Sequence, residues 1–125
     1  MIKLLFIYSV LFLSNLQKDA IRDIGIAMKA GSAKELINFC NATMEIRING
    51  ESTNYDKNQA KVTLRNFFNE YPPQDFSYTV KGSSSDNLKY TIGVYTHEKG
   101  SFRVVMFIKK IDNAYLIDTL NFSKE

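Results

Sequence analysis

The sequence is poor in the residues on which metal sites and many catalytic sites are built. Its 125 residues include one cysteine, one histidine and no tryptophan. A single cysteine cannot form an internal disulfide, so the hydrophobic core must stabilise the fold. A zinc site needs several converging His, Cys or carboxylate ligands, and a phosphate-binding loop needs clustered glycines; the sequence offers neither. We therefore expect no metal and no cofactor.

Clustered charge of one sign is also absent. The 16 basic and 13 acidic side chains, with a net charge of +3, are interspersed along the chain. Nucleic-acid-binding proteins usually concentrate positive charge in a patch or stripe, so we expect no nucleic acid partner. The hydrophobic content of 45% is that of an ordinary globular protein with one domain and one core.

Long hydrophobic runs are limited to the N-terminus. Residues 4–13, which follow Lys3, are apolar apart from one tyrosine and one serine. A basic tip, an apolar run and a polar boundary are the parts of a secretory signal peptide, and the run is shorter than the about 20 residues that span a bilayer. We predict a signal peptide over residues 1–17, without a clear cleavage site, and a single α+β domain over residues 18–125. The mature protein would be periplasmic or extracellular, with no membrane span; the alternative is an N-terminal helix that buries its apolar face.

The N-terminal half of the predicted domain contains helix signals. Residues 19–30 carry apolar side chains every three to four positions, and Gly31 is a helix stop. Ser32 and Glu35 have the spacing of a capping box that starts a second helix. The buried face of this second helix is predicted to comprise Leu36, Ile37, Phe39 and Cys40.

A short strand pair and a third helix follow. Residues 43–48 alternate apolar and polar side chains, the Asn-Gly pair at 49–50 predicts a turn, and residues 51–55 can pair back as a short strand. Asp56 and Gln59 form a second capping-box pattern at the start of the third helix. The Tyr-Pro-Pro sequence at 71–73 ends that helix, because proline disfavours helix in the residue before it.

The C-terminal half reads as four successive strands between residues 75 and 122. Polar turns at 83–87 and 97–100 separate the first three strands, and Asp112-Asn113 is a two-residue hairpin turn before the last. Helices followed by a run of strands indicate an α+β fold with an antiparallel sheet.

Several stretches resemble one family of proteins. They are AGSAKEL at 30–36, YDKNQA at 55–60, FFNEYPP at 67–73, GSS at 82–84, YTIG at 90–93, FRV at 102–104 and YLI at 115–117. The chain resembles the domain of unknown function 4783 family, small exported bacterial proteins. The order of elements also resembles the cone fold of nuclear transport factor 2, which is grouped with cystatin-like folds. The resemblance implies a cone-shaped curved antiparallel sheet, three helices on its concave face and export, but it brings no catalytic residue because the family has no assigned activity.

Asp118 is the one candidate for acid–base chemistry. Its position in the last strand predicts an inward side chain among apolar neighbours, where burial would raise its pKa and make it a general acid or base. With Tyr55 or Tyr90 as a hydrogen-bond donor, it would form the interior site of a small isomerase or lyase. The second interpretation is a bulge that turns Asp118 outward to pair with Lys109 or Lys110.

Aromatic residues predict a core and are compatible with an apolar ligand pocket. We assign Tyr55, Tyr90 and Phe67 as candidate lining residues of such a pocket for a small apolar molecule. His97 lies in a predicted polar turn, so we expect it to be solvated rather than catalytic. Cys40 is expected to be a small buried residue on the second helix.

Residues 104–108 are apolar on both faces of their strand, although the neighbouring strands alternate. Such a strand should be covered on both sides, and helices can cover only one. Val105, Phe107 and Tyr95 are the predicted dimer or partner face, with a homodimer preferred because isologous pairing is the commonest way to bury such a surface. The functional hypothesis is an exported binding or interaction module without catalytic activity, which holds its ligand or partner in the cone cavity or on the sheet face; the alternative is the isomerase or lyase.

Overall fold

The computed structural model describes residues 19–85 and 87–125 of the chain. The predicted signal peptide and Asp86, part of the predicted turn at 83–87, lie outside the described residues. The helical elements are α1 (Ala20–Ala30), α2 (Ala33–Leu36), a 3-10 turn (Ile37–Phe39) and α3 (Lys57–Glu70). The strands are β1 (Cys40–Ile48), β2 (Glu51–Asp56), β3 (Pro73–Ser85), β4 (Leu88–His97), β5 (Gly100–Ile111) and β6 (Ala114–Lys124). The predicted α+β fold, a curved sheet with three helices packed on its concave face, is confirmed.

The first and third helices begin and end close to the predicted residues. Asp19 accepts a hydrogen bond from the backbone of Arg22 at 3.0 Å and caps α1. Gly31 ends α1 with a φ of 63°, in the left-handed region that favours glycine. Asp56 and Gln59 make both reciprocal bonds of a capping box at the start of α3. Among the described residues, no helix is long and apolar enough to cross a bilayer.

The second helix is shorter than predicted. Ser32 caps α2 by accepting from the backbone of Glu35 at 3.1 Å, but the helix ends at Leu36 and a 3-10 turn follows. Cys40 is therefore the first residue of β1 and not part of a helical face, because it pairs in parallel with Ile117 of β6. It is fully buried, as predicted.

The sheet has six strands in the order β2-β1-β6-β5-β4-β3. The pairing of β1 with β6 is parallel, and every other pair is antiparallel. The turn between β5 and β6 is the predicted one, with φ values of 50° at Asp112 and 67° at Asn113. Two successive left-handed residues give the turn that matches the twist of paired strands.

The two faces of the sheet have different surroundings. The inner face packs on the helices, and its core is an aromatic cluster around Phe67 of α3. The Phe67 ring lies 4.1 Å from the ring of Phe122, 5.1 Å from that of Phe102 and 5.5 Å from that of Tyr95, between centroids. The described helices leave the outer face uncovered. Because residues that are opposite each other in an antiparallel pair share a face, the strand register assigns each side chain to one face.

Tyrosine hydroxyls connect the helical layer to the sheet. Tyr78 of β3 donates to the backbone carbonyl of Ile21 in α1 at 2.7 Å. Tyr95 of β4 donates to the carbonyl of Tyr71, the residue that ends α3. Burial raises the pKa of both tyrosines, and the nearby charge of Asp19 raises that of Tyr78 further. Each of these side chains therefore combines an apolar ring in the core with a hydrogen bond that fixes a helix end.

Candidate functional site

A bulge in β6 determines where Asp118 lies. Phe107 pairs with Thr119 and Ile108 pairs with Ile117, so Asp118 is an extra residue between the two pairs. Its carboxylate contacts Lys109 at 3.1 Å and accepts a hydrogen bond from the side chain of Asn41 at 3.4 Å. Asp118 therefore has the orientation of the second interpretation of the sequence, in which a bulge turns it outward to pair with Lys109.

The predicted interior acid–base site is therefore not assembled. Lys109 belongs to the exposed positions of β5, so the ion pair holds Asp118 on the outer face. Tyr55 is on the opposite side of the sheet, because it pairs with the buried Met44 and packs against the core. A carboxylate paired with an ammonium group outside the core does not have the apolar surroundings that the predicted interior site requires.

The three residues assigned to a ligand pocket do not converge either. Phe67 is 3% exposed within the aromatic core, and Tyr55 packs against the same core. Tyr90 pairs with Phe107 and lies on the outer face, where its ring covers Gly82. A Cβ atom at Gly82 would overlap the ring of Tyr90. The prediction of one pocket was wrong for Tyr90 because alternation shows that a strand has two faces but does not show which of them packs on the helices.

The predicted partner face is corrected at one position. Val105 and Phe107 lie on the outer face, and Phe107 is 41% exposed. Tyr95 is fully buried on the inner face, opposite Phe102. The register of β4 with β5 therefore separates Tyr95 from Val105 and Phe107.

The outer face carries a contiguous apolar surface, here called the outer patch. Its residues are Val80, Tyr90, Ile92, Val94, Val105 and Phe107. One row runs across three strands from Val80 through Ile92 to Val105, and the next pairs Tyr90 with Phe107. Val80 is 40% exposed. Toward β1 the surface becomes polar, because Glu45 and Arg47 form an ion pair at 3.6 Å on the same face.

Sequence reasoning assigned only part of the outer patch. Val80 and Ile92 were not predicted as surface residues, because their alternating pattern is the same as that of an inward-facing strand. A shift in register between Tyr78 and Val80 also changes which β3 side chains point outward. The remaining signal in the sequence was the strand with two apolar faces, residues 104–108.

His97 is packed, contrary to the expectation of a solvated turn. It is the last residue of β4 and is 9% exposed. Its ring stacks on Phe102 with centroids 5.3 Å apart and meets the edge of Tyr71 at 5.1 Å. Its Nδ1 accepts a hydrogen bond from the backbone of Lys99 at 3.3 Å. These contacts give His97 a place in the core next to the turn.

Cys40 is held as a neutral thiol in the core. Its Sγ donates to the carbonyl of Leu36 at 3.5 Å. Burial raises the pKa of the thiol to about 12, although the charge of Lys57 acts in the opposite direction. Because the thiolate is the reactive form, this position does not suit a nucleophile. Within residues 19–85 and 87–125, no group of three or more His, Cys, Asp or Glu side chains could hold a metal ion.

The curved sheet with helices on its concave face defines a class of protein, the cystatin-like or nuclear-transport-factor-2-like cone. The chain is similar to a domain of unknown function with a cystatin-like fold from Nostoc punctiforme, at 12% identity and a TM-score of 0.68, over 88% of this chain and 78% of that one. At this identity the similarity shows the fold alone.

The chain belongs to the family of the domain of unknown function DUF4783, whose model matches residues 21–123. A DUF4783 family protein from Bacteroides ovatus is 31% identical, with a TM-score of 0.79 over 82% of this chain and 93% of that one. A DUF4783 family protein from Bacteroides uniformis is 27% identical, with a TM-score of 0.81 over 85% of this chain and 97% of that one. No curated protein matches the chain. The predicted family is thus confirmed.

Proposed function

We propose that the protein is an exported, non-catalytic interaction module that pairs with a second copy of itself through the outer face of its sheet. The observation that carries this proposal is the outer patch, an apolar surface across β3, β4 and β5 that the described helices leave uncovered. Partly exposed apolar side chains that adjoin one another are typical of protein interfaces. The core is consistent with this proposal, because aromatic rings around Phe67 fill the space between α3 and the sheet.

The size of the outer face fits a second copy. Four strands spaced at about 4.8 Å, each about 10 residues long at about 3.3 Å per residue, give a planar footprint of about 600 Å². A standard interface buries about 800 Å² of accessible surface on each partner, and projecting side chains make the accessible area of a sheet larger than its footprint. The outer patch would be the apolar centre, and Arg103, Lys109 and Thr119 would belong to the polar rim.

Symmetry favours a second copy of the chain over an unrelated protein as the partner. In a two-fold interface the same patch faces itself, so an apolar centre meets an apolar centre without any second surface. Two pairs of opposite charges near the centre are also neutralised within each copy, because Lys109 pairs with Asp118 and Glu45 pairs with Arg47. Two such faces can approach without bringing uncompensated like charges together at these positions.

The dimer is tested by mass in solution. Light scattering coupled to size exclusion should give twice the chain mass for the wild type. Phe107→Glu should weaken association at least about 100-fold, because a symmetric interface carries the buried charge twice. The matched control is Val62→Glu, which alters another exposed apolar side chain, 50% exposed on α3.

Association that is unchanged in Phe107→Glu, or lost equally in Val62→Glu, would count against the outer face. A monomeric wild type at about 100 µM would reject the dimer itself.

Export rests on the basic and apolar pattern of residues 1–17. Mass spectrometry of the protein from its own cells should show a chain that starts near residue 18, and an intact Met1 would contradict it.

A further inference from the structure

A second surface lies at the open end of the cone, on the inner side of the sheet. A cleft of about 730 Å³ is bounded by the start of α1, the 3-10 turn and the hairpin of β5 and β6. This space, here called the mouth cleft, has the size of a small-molecule site. Its lining includes Asn38, Phe39, Lys89, Lys110, Asn113 and Tyr115.

Strand pairing brings two ammonium groups into the mouth cleft. Lys89 of β4 pairs with Ile108, and Lys110 lies two residues further along β5, on the same face as Ile108. Lys110 is itself opposite Tyr115 of β6. The Nζ atom of Lys89 lies 4.2 Å from the centroid of the Tyr115 ring. Lys89 thus contacts the ring of the residue opposite Lys110, and both lysines line the mouth cleft.

Two carboxylates of the α1 region, those of Asp19 and Asp23, line clefts beside Lys89, and each contacts Arg22. Asp23 also lines the mouth cleft, but the guanidinium of Arg22 contacts its carboxylate at 3.3 Å. Asp118 pairs with Lys109 on the outer face. Within residues 19–85 and 87–125, neither Lys89 nor Lys110 forms an ion pair. Two like charges that share a cleft, and that no carboxylate of the described residues neutralises, favour the binding of an anion.

We propose that the mouth cleft binds a small organic anion, one that joins a carboxylate, sulfonate or phosphate group to an apolar body. The anionic oxygens would lie between Lys89 and Lys110, with side-chain amide donors from Asn38 and Asn113. The apolar body would pack against Phe39. This site goes beyond the proposed pairing and does not depend on it, because the outer patch is on the opposite face of the sheet.

The probe is 8-anilinonaphthalene-1-sulfonate, an aromatic anion whose fluorescence reports binding. Its neutral counterpart is N-phenyl-1-naphthylamine, which has the rings without the sulfonate. The wild type should bind one sulfonate probe per chain, and the neutral probe should bind at least about tenfold more weakly, since the sulfonate adds a charge-assisted contact. Equal binding of both probes would overturn the proposal.

The lysines are tested with a charge-matched pair of variants. Lys89→Met/Lys110→Met should weaken binding of the sulfonate probe at least about tenfold, as expected when two charge-assisted contacts are lost. Lys34→Met/Lys99→Met removes the same net charge from exposed positions elsewhere and should bind as the wild type does. Equal affinity in the two double variants would overturn the assignment of the cleft.

A single substitution tests the same cleft with less risk of unfolding the protein than the double lysine variant. Asn113→Asp keeps a side chain that tolerates the left-handed turn, where φ is 67°, and adds a negative charge at the cleft. It should also weaken binding of the sulfonate probe, and unchanged binding would oppose the proposal. Decanoate should displace the probe at lower concentration than inorganic phosphate does; equal displacement by phosphate would reject an organic anion as the ligand.

Discussion

Buried polar atoms on the inner face of the sheet are satisfied in some side chains and not in others. The hydroxyls of Tyr78 and Tyr95 each donate to a backbone carbonyl in the helical layer. Thr91 is fully buried, but its Oγ1 has no hydrogen-bond partner among the described protein groups. A buried hydroxyl without a partner loses its hydrogen bonds to water and forms none within the protein, so its burial destabilises the fold.

Thr91→Val should therefore stabilise the protein. Valine keeps the branched shape and the strand preference while it removes the hydroxyl, so the free energy of unfolding should rise by about 1–2 kcal/mol. The measurement is urea unfolding followed by circular dichroism. Thr79→Val is the control, because Oγ1 of Thr79 donates to the carbonyl of Ile92 at 3.1 Å, and it should lower stability by about 0.5–1 kcal/mol. A loss of stability in Thr91→Val would mean that its hydroxyl is satisfied.

The helices and the turns were predictable because their signals are local. Asp56 and Gln59 are three residues apart, and the bonds they make depend on no other part of the chain. The same holds for Asp112 and Asn113, whose dihedral angles suit a tight hairpin. The second helix was overestimated because pairing of Cys40 with β6 competes with continuation of the helix. A helical pattern in the sequence contains no information about that distant strand.

Removing the N-cap of α3 should destabilise the protein. Asp56→Ala leaves the backbone N–H of Gln59 without its acceptor, now at 2.9 Å from the carboxylate, and should lower the free energy of unfolding by about 1 kcal/mol. Asp56→Asn retains a side-chain acceptor and should change stability by no more than about 0.3 kcal/mol. Both are measured by urea unfolding. Equal losses in the two variants would show that the charge of Asp56, and not the hydrogen bond, stabilises the helix.

Attachment of the helical layer to the sheet depends on groups that must stay protonated. Burial raises the pKa of the Cys40 thiol to about 12 and also raises the pKa of the Tyr95 hydroxyl. In the unfolded chain these groups have ordinary pKa values of about 8.5 and about 10. Below those values both states hold the protons, and the stability is complete. Above them the unfolded chain releases protons that the folded protein retains, so stability falls.

The protein should consequently be sensitive to alkali. From about pH 9 upward, the free energy of unfolding should fall by up to about 1.4 kcal/mol per pH unit for each such group that has ionised in the unfolded chain. Tyr95→Phe removes one of these groups and loses the bond to Tyr71. It should be less stable at pH 7 but should show a shallower decline above pH 10. Urea unfolding at a series of pH values measures both, and a decline as steep as that of the wild type would contradict the assignment.

Local sequence was sufficient for the α+β class, the starts of the second and third helices and the β5–β6 hairpin turn, because each depends on residue type or on neighbours a few positions away. The family resemblance added the cone. Pairing between distant strands decided which way each side chain faces. The β6 bulge holds Asp118 on the outer face, and the β4 register buries Tyr95 and leaves Tyr90 outside. The register of β4, β5 and β6 places Lys89 and Lys110 at the same cleft. A register shift of one residue transfers a side chain to the opposite face of the sheet. The register depends on pairing between distant strands, so a short stretch of sequence does not reveal it.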